Sequence, residues 1–180
     1  MNSKIAELAQ RYVPEMIAAR RHLHMHPELA HEETETQAYV INFLNNLGIE
    51  NHVLAGTGVV GLIQGAHPGK TVLLRADMDA LPIDEQADVE YKSLVAGKMH
   101  ACGHDGHTAG LLGAAMILNE LKDELHGNVK LMFQPAEETL AGAKAMIDDG
   151  LLENPKVDAA MMIHVMTGFP LEAGKVIVPN

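Results

Sequence analysis

Met99 to Gly110 reads Met-His-Ala-Cys-Gly-His-Asp-Gly-His-Thr-Ala-Gly and gathers the only cysteine of the chain with three histidines and an aspartate. Cys102-x-His104 pairs a thiol with an imidazole, donors of the borderline softness that suits zinc or a neighbouring divalent ion. A lone cysteine is more often a small buried hydrophobe, and a lone histidine a satisfied polar group, so the case rests on what accompanies them. Asp77-Met78-Asp79 follows the apolar Val72-Leu73-Leu74, Glu137-Glu138 follows Leu131-Met132-Phe133, and His164 follows Ala159 to Ile163. Carboxylates at the mouths of buried strands need partners or cations. In open α/β sheets ligands collect beyond the carboxyl ends of strands, so these distant positions can converge. Two metal ions with a bridging water would need about this supply of donors, and a free carboxylate beside that water would act as general base and then general acid. Glu137 and Glu138 can divide the tasks of base and ligand. A helix starting at His104 would disfavour imidazolium there and keep a nitrogen lone pair available.

The elements that must position these groups are legible from periodicity. Ser3 caps a helix carrying Ile5, Leu8, Ala9, Met16 and Ile17, which Pro14 is expected to kink or divide and Pro27 to stop. Thr34 with Gln37 has the form of a capping box, opening a helix that would bury Ala38, Ile41, Leu44 and Leu47 and end at Gly48. Residues 59–64 read as a strand, 65–70 as a turn, 71–76 as a buried strand and 83–98 as a polar loop pivoting at Gly97. A helix runs from His104 or Asp105 to about Leu121, its small residues suited to close packing on a sheet. A strand over 128–134, a short helix over 141–149, a buried strand over 159–165 and a last strand over 174–178 complete the pattern. Alternating helices and apolar strands predict an α/β fold, a sheet sandwiched by helices.

The 180 residues suffice for one domain with a real core, and at 3% aromatic content aliphatic side chains and methionine must fill it. A formal net charge of −11 without any basic run argues against nucleic acid or an anionic membrane as partner. One cysteine makes no intrachain disulfide. The first residues lack the apolar core of a signal peptide, and no apolar run nears the roughly 20 residues of a membrane span. A cytoplasmic location is expected.

Five motifs then occur in order: Arg20-Arg21-His22-Leu23-His24-Met25-His26-Pro27-Glu28, Leu74 to Pro82, Met99 to Thr108, Phe133-Gln134-Pro135-Ala136-Glu137-Glu138, and His164-Val165. Together they resemble the metallo-amidohydrolase branch of the aminoacylase and zinc-carboxypeptidase-like exopeptidases, peptidase family M20, with hippurate hydrolases, N-acyl-amino-acid amidohydrolases and auxin-conjugate hydrolases as relatives. The resemblance spans residue 20 to about 178. It implies a zinc-exopeptidase-like catalytic domain with a mixed sheet between helices. It implies Cys102, His104, Glu138 and His164 as metal ligands, Glu137 as general base, Asp79 as an orienting carboxylate, and His107 either as a supporting residue or as a packed helix histidine. Asp77 is a weaker candidate, because other branches carry a histidine ligand there. His22, His24 and His26 belong to the pattern without a chemical role.

The implied reaction is metal-assisted hydrolysis of the amide bond of an N-acyl amino acid or dipeptide, with one or two zinc, manganese, cobalt or nickel ions. Relatives also carry an inserted lid and dimerisation domain, then return to the catalytic domain with one more histidine ligand. Neither appears in residues 1–180, so the expectation is the N-terminal part of one catalytic domain. It should bind metal weakly, turn over poorly or not at all, and expose apolar surface to a missing C-terminal half or in a homodimer. Two rivals stay open: a non-catalytic metal-binding or subunit-interaction module that needs a partner chain, and a cysteine hydrolase using Cys102 with His104 or His164.

Overall fold

The computed structural model describes residues 2–166, 172 and 174–178. Helices α1 (Asn2–Met25) and α2 (Thr34–Asn46) lead into strands β1 (Glu50–Leu54), β2 (Gly58–Gln64) and β3 (His67–Asp77). Helix α3 (His104–Glu120), β4 (His126–Gln134), α4 (Gly142–Asp148) and β5 (Ala159–Met162) follow. The strands form one mixed sheet in the order β1-β2-β4-β3-β5. β1, β2 and β4 pair antiparallel, whereas β4, β3 and β5 run parallel. The register sets Asp77 opposite Gln134 and Arg75 opposite Met162, so three parallel strands deliver their carboxyl ends to one edge of the fold. The expected helix-flanked mixed sheet is the observed one.

One face of the sheet packs Val59, Ile63, Ala76, Leu131 and Phe133 against Val40 and Leu44 of α2 and Leu112 and Ala115 of α3. The other face packs Val60, Leu73 and Met132 against Met146 of α4 and Leu151. Phe133 is fully buried and Leu140 is 87% exposed. Phe133→Ala should therefore cost about 3–5 kcal/mol of unfolding free energy. Leu140→Ala should stay within about 0.5 kcal/mol, both read from urea transitions.

Several expectations are corrected. Pro14 neither divides nor ends α1; it lies on the exposed side of the helix, where a backbone carbonyl left without its N–H partner is open to solvent. Thr34 does not cap α2. The Glu28 carboxylate does so from outside the helix, accepting the backbone N–H of Glu35 at 3.1 Å and of Thr36 at 2.7 Å. The buried face of α2 is Thr36, Val40 and Leu44, with Ala38 exposed. β1 has no sequence signal because it is a mostly exposed edge strand with only two apolar residues. β3 starts at His67 through an irregularity before Thr71, which absorbs most of the expected turn. The small residues of α3 serve α1 as well as the sheet: a Cβ on Gly113 would lie 2.1 Å from Met16 Sδ.

β5 is shorter than expected and exposed at all four residues, because it is the last strand of the sheet. Residues 174–178 form no strand, having no paired neighbour among the described residues. Met161, Met162, Ile163 and Val165 are all exposed. No helix of the described residues is long and apolar enough to cross a membrane.

Candidate metal centre

His104 opens α3 directly after Gly103, whose φ of +86° starts the helix from a left-handed residue. A Cβ at Gly103 would also meet Val165 Cγ2 at 2.4 Å, so glycine is required there on two counts. The ring of His104 is fully buried. Its Nδ1 faces the Asp79 carbonyl at 2.8 Å, and its Nε2 has no hydrogen-bond partner. That orphan nitrogen lies 3.6 Å from Asp77 Oδ2, 3.9 Å from Glu137 Oε2 and 3.8 Å from Glu138 Oε1. Cys102 Sγ lies 3.5 Å from His164 Nε2.

His104 is common to three clusters whose donor atoms lie within 4.8 Å of one another: Cys102–His104–His164, Asp77–His104–His107 and His104–Glu137–Glu138. The clusters bring Cys102, His104, His107, Glu137, Glu138, His164 and the weaker candidate Asp77 to the carboxyl ends of β3, β4 and β5, and Asp79 adjoins them through its 2.8 Å carbonyl contact with His104.

The hydrogen bonds fix which nitrogens remain available. His164 Nδ1 donates to the Val165 carbonyl at 2.6 Å, which leaves its Nε2 lone pair facing Cys102. His107 differs. Its Nδ1 donates to Asp77 Oδ1 at 2.6 Å, and its Nε2 accepts the Val165 backbone N–H at 2.8 Å. Both of its nitrogens are used, so it binds the β5 exit to β3 and has no lone pair for an ion. Asp77 is likewise committed, with Oδ1 on His107 and Oδ2 accepting Arg75 Nη1 at 2.6 Å. The Asp79 carboxylate accepts the Glu138 backbone N–H at 2.9 Å through Oδ2, while its buried Oδ1 has no hydrogen bond.

Burial pushes the Asp77 carboxyl up, but the His107 hydrogen bond with facing His104 and Arg75 outweighs it and holds the group below the ordinary carboxylate value. Asp79 is lowered in the same way, burial being overcome by His104 and by the backbone N–H groups of Glu138 and Glu137. Burial alone would lower His104, yet the Asp79 contact and the carboxylates of Asp77, Asp79 and Glu138 raise it. The expectation of a disfavoured imidazolium is therefore reversed. A helix terminus contributes only about 0.3–1 kcal/mol, against several carboxylates within 4 Å of the ring. Burial and then Glu138 push the Cys102 thiol up to about 11. A raised thiol is the opposite of what an activated nucleophile needs, which counts against the cysteine-hydrolase reading.

These shifts have opposite consequences for the metal-free chain. Asp77 and Asp79, both depressed, stabilise fully above their unfolded values and lose that contribution as pH falls through their folded ones, below about pH 4. His104, raised, stabilises below the ordinary histidine value and loses its contribution as pH rises through the folded one. Asp77→Asn should accordingly flatten the acid limb of stability, read as urea midpoints from about pH 2 to pH 7.

Sequence reasoning missed one buried network beside the site. His24 lies 2.7 Å from Asp105 Oδ2 and 3.0 Å from Glu85 Oε1, and Arg20 pairs with Asp105 at 2.8 Å. It ties α1, the polar loop and the first turn of α3 together, which gives His24 a structural role. His22 stacks on Tyr39 and His26 bonds the His22 carbonyl, so both belong to the helix end. His100 is buried without a partner at either nitrogen, and burial lowers it to about 4.

Residues 73–179 match the model of peptidase family M20/M25/M40. The chain belongs to that family. It is 50% identical over 159 residues to thermostable carboxypeptidase 2 of Saccharolobus solfataricus, covering 86% of this chain and 40% of that protein. It is 42% identical over 175 residues to the N-acyl-L-amino acid amidohydrolase of Geobacillus stearothermophilus, covering 96% and 46%. Among solved structures it is similar to a dinuclear metal binding peptidase of the M20 family from Bacillus subtilis. There the TM-score is 0.80 at 42% identity, over 88% of this chain and 43% of that one. This M20 chain therefore spans less than half the length of the relatives it matches.

Proposed function

We propose that this M20 chain carries the metal-binding and proton-transfer part of a hydrolase that cleaves the amide bond of N-acyl amino acids or dipeptides. The observation that carries the reading is the fully buried His104 Nε2, without a hydrogen bond, facing carboxylates from two strand ends. A buried imidazole nitrogen left without a partner is costly unless a cation or water completes it. The thiol, imidazole and carboxylate donors fit a divalent ion, with zinc, manganese, cobalt and nickel all compatible. Arg75 pairs with Asp77, and among the described residues no Lys or Arg side chain pairs with Asp79, Glu137 or Glu138, so the excess negative charge also favours a cation.

Cys102, His104, Glu138 and His164 would hold one or two such ions. A bound ion supplies an activated water and stabilises charge on the amide oxygen. The other tasks belong to the protein. Glu137, partly open to solvent beside His104, takes the proton of the attacking water and returns one to the leaving amine. Asp79 holds His104 through its main-chain carbonyl and Glu138 through its carboxylate, a bridge that orients two donors at once. His107, locked between Asp77 and Val165, sets where His164 enters.

The Saccharolobus and Geobacillus relatives act on carboxypeptidase and N-acyl-L-amino acid substrates by name, which supports this substrate class. The exposed apolar β5 supports a second element of the proposal, that these residues are one part of a catalytic domain completed by further chain, with a lid and the last ligand supplied from there. The rival reading, a metal-binding module that acts only with a partner chain, predicts no hydrolysis by any form of the protein lacking that partner. A panel of N-acyl amino acids assayed with the metal-loaded protein tests the proposal. Hydrolysis, however slow, should vanish with chelator and return with divalent metal. Turnover untouched by chelator would overturn it.

A further inference from the structure

Glu33, just before α2, has a fully buried side chain that no ligand or base assignment uses. Its Oε1 accepts the Ala136 backbone N–H at 2.8 Å, and its Oε2 accepts the Thr57 hydroxyl at 2.6 Å. Ala136 immediately precedes Glu137-Glu138 and is itself fully buried. Its φ of +50° lies in the left-handed region that an alanine rarely adopts. Such a conformation persists only where its surroundings over-determine it.

Here the surroundings can be named. On one side the Ala136 N–H is held by Glu33. On the other its carbonyl accepts the N–H groups of Ala141 and Gly142, each at 3.2 Å. Gly142 itself admits no side chain, since a Cβ there would lie 1.6 Å from the Pro135 carbonyl oxygen. The preceding Pro135 has no N–H to offer, so Glu33 is the anchor for the amide side of this corner. The reversal at Ala136 turns the chain from the line of β4 and carries Glu137 and Glu138 beside His104.

We infer that Glu33 is a positioning residue: by clamping Ala136 in its left-handed conformation from behind, it aims Glu137 and Glu138 at the metal centre. Asp79 grips the same segment from the site side through the Glu138 N–H, so the two carboxylates hold it at both ends. The inference rests on the reading of Glu138 as a ligand.

Cobalt(II) titration of the purified chain tests it, with the visible spectrum and the dissociation constant recorded beside the thermal midpoint. Glu33→Gln keeps an oxygen for Ala136 and an amide for Thr57, and should bind cobalt within about threefold of the original with the same spectrum. Glu33→Ala should bind tenfold to hundredfold more weakly, the range typical of losing a group that orients a ligand, with an altered spectrum. Should Glu33→Ala not fold, Thr57→Val, which frees one Glu33 oxygen, should give a loss of severalfold. Glu138→Ala is the control. If it weakens binding while Glu33→Ala, or Thr57→Val in its place, lowers only the thermal midpoint, the inference is overturned and the ligand reading stands. If Glu138→Ala binds cobalt as the original does, the ligand reading fails and the inference falls with it.

Discussion

Replacing His104 with alanine should abolish measurable zinc binding by the chain. The loss should exceed the roughly 10–100-fold typical of removing a group that only orients a ligand. The expectation follows from geometry, since His104 is the one residue shared by all three donor clusters. Its Nε2 is buried and unpartnered while its Nδ1 is set on the Asp79 carbonyl, so the free nitrogen is aimed at the carboxylates of Asp77, Glu137 and Glu138. His107→Asn supplies the contrast. His107 has both nitrogens engaged, so its loss should fall inside that lower range, by letting Asp77 and the chain at Val165 shift. Isothermal titration at neutral pH separates the two. Equal losses in both variants would mean that the His107 ring is itself a ligand rather than a strut.

Binding should also weaken as pH falls. The surrounding carboxylates raise His104, so the proton competes for the same nitrogen at a higher pH than for an ordinary histidine.

The second large effect is on turnover. Glu137→Gln should reduce amide hydrolysis by roughly 100- to 10,000-fold, the usual contribution of a positioned general base, while leaving metal affinity unchanged. Glutamine has the same length and keeps a hydrogen-bonding oxygen, but takes no proton from water. The variant needs the protein in whatever form shows chelator-sensitive turnover, with metal content measured in parallel. Glu138→Gln is predicted to behave oppositely, losing metal and activity together. A Glu137→Gln protein that loses metal while Glu138→Gln keeps it would exchange the two assignments.

Much of this site was legible from the chain because its donors are chemically conspicuous and sit at strand ends. Asp77 and Asp79 close an apolar run, as do Glu137 and Glu138, and the parallel register of β3, β4 and β5 brings those ends together. Legibility failed where a role depends on hydrogen bonds across the fold. Asp77 is a marginal donor by sequence, yet it is the buried hub between Arg75 and His107. Glu33 has no place in any of the five motifs, and Glu28 only ends the first. One holds Ala136, the other caps α2, and no local pattern distinguishes them from their exposed neighbours. His24 gave only its place in a histidine-rich helix end, because its partners Glu85 and Asp105 are 61 and 81 residues away. Periodicity placed the long helices and the central strands but passed over β1, whose edge position leaves little apolar pattern to read. It also took the apolar run of β5 for a buried strand, since sequence records hydrophobicity and not whether a neighbour is there to cover it.

The central claim is that Cys102, His104, Glu138 and His164 form a divalent-metal centre beside Glu137. Anomalous scattering from a crystal of the chain grown with zinc, collected on both sides of the absorption edge, tests it most directly. A peak is predicted against His104 Nε2, within the cluster bounded by Cys102, Glu138 and His164. A peak held by other residues, or full zinc occupancy elsewhere with none beside His104, would contradict it.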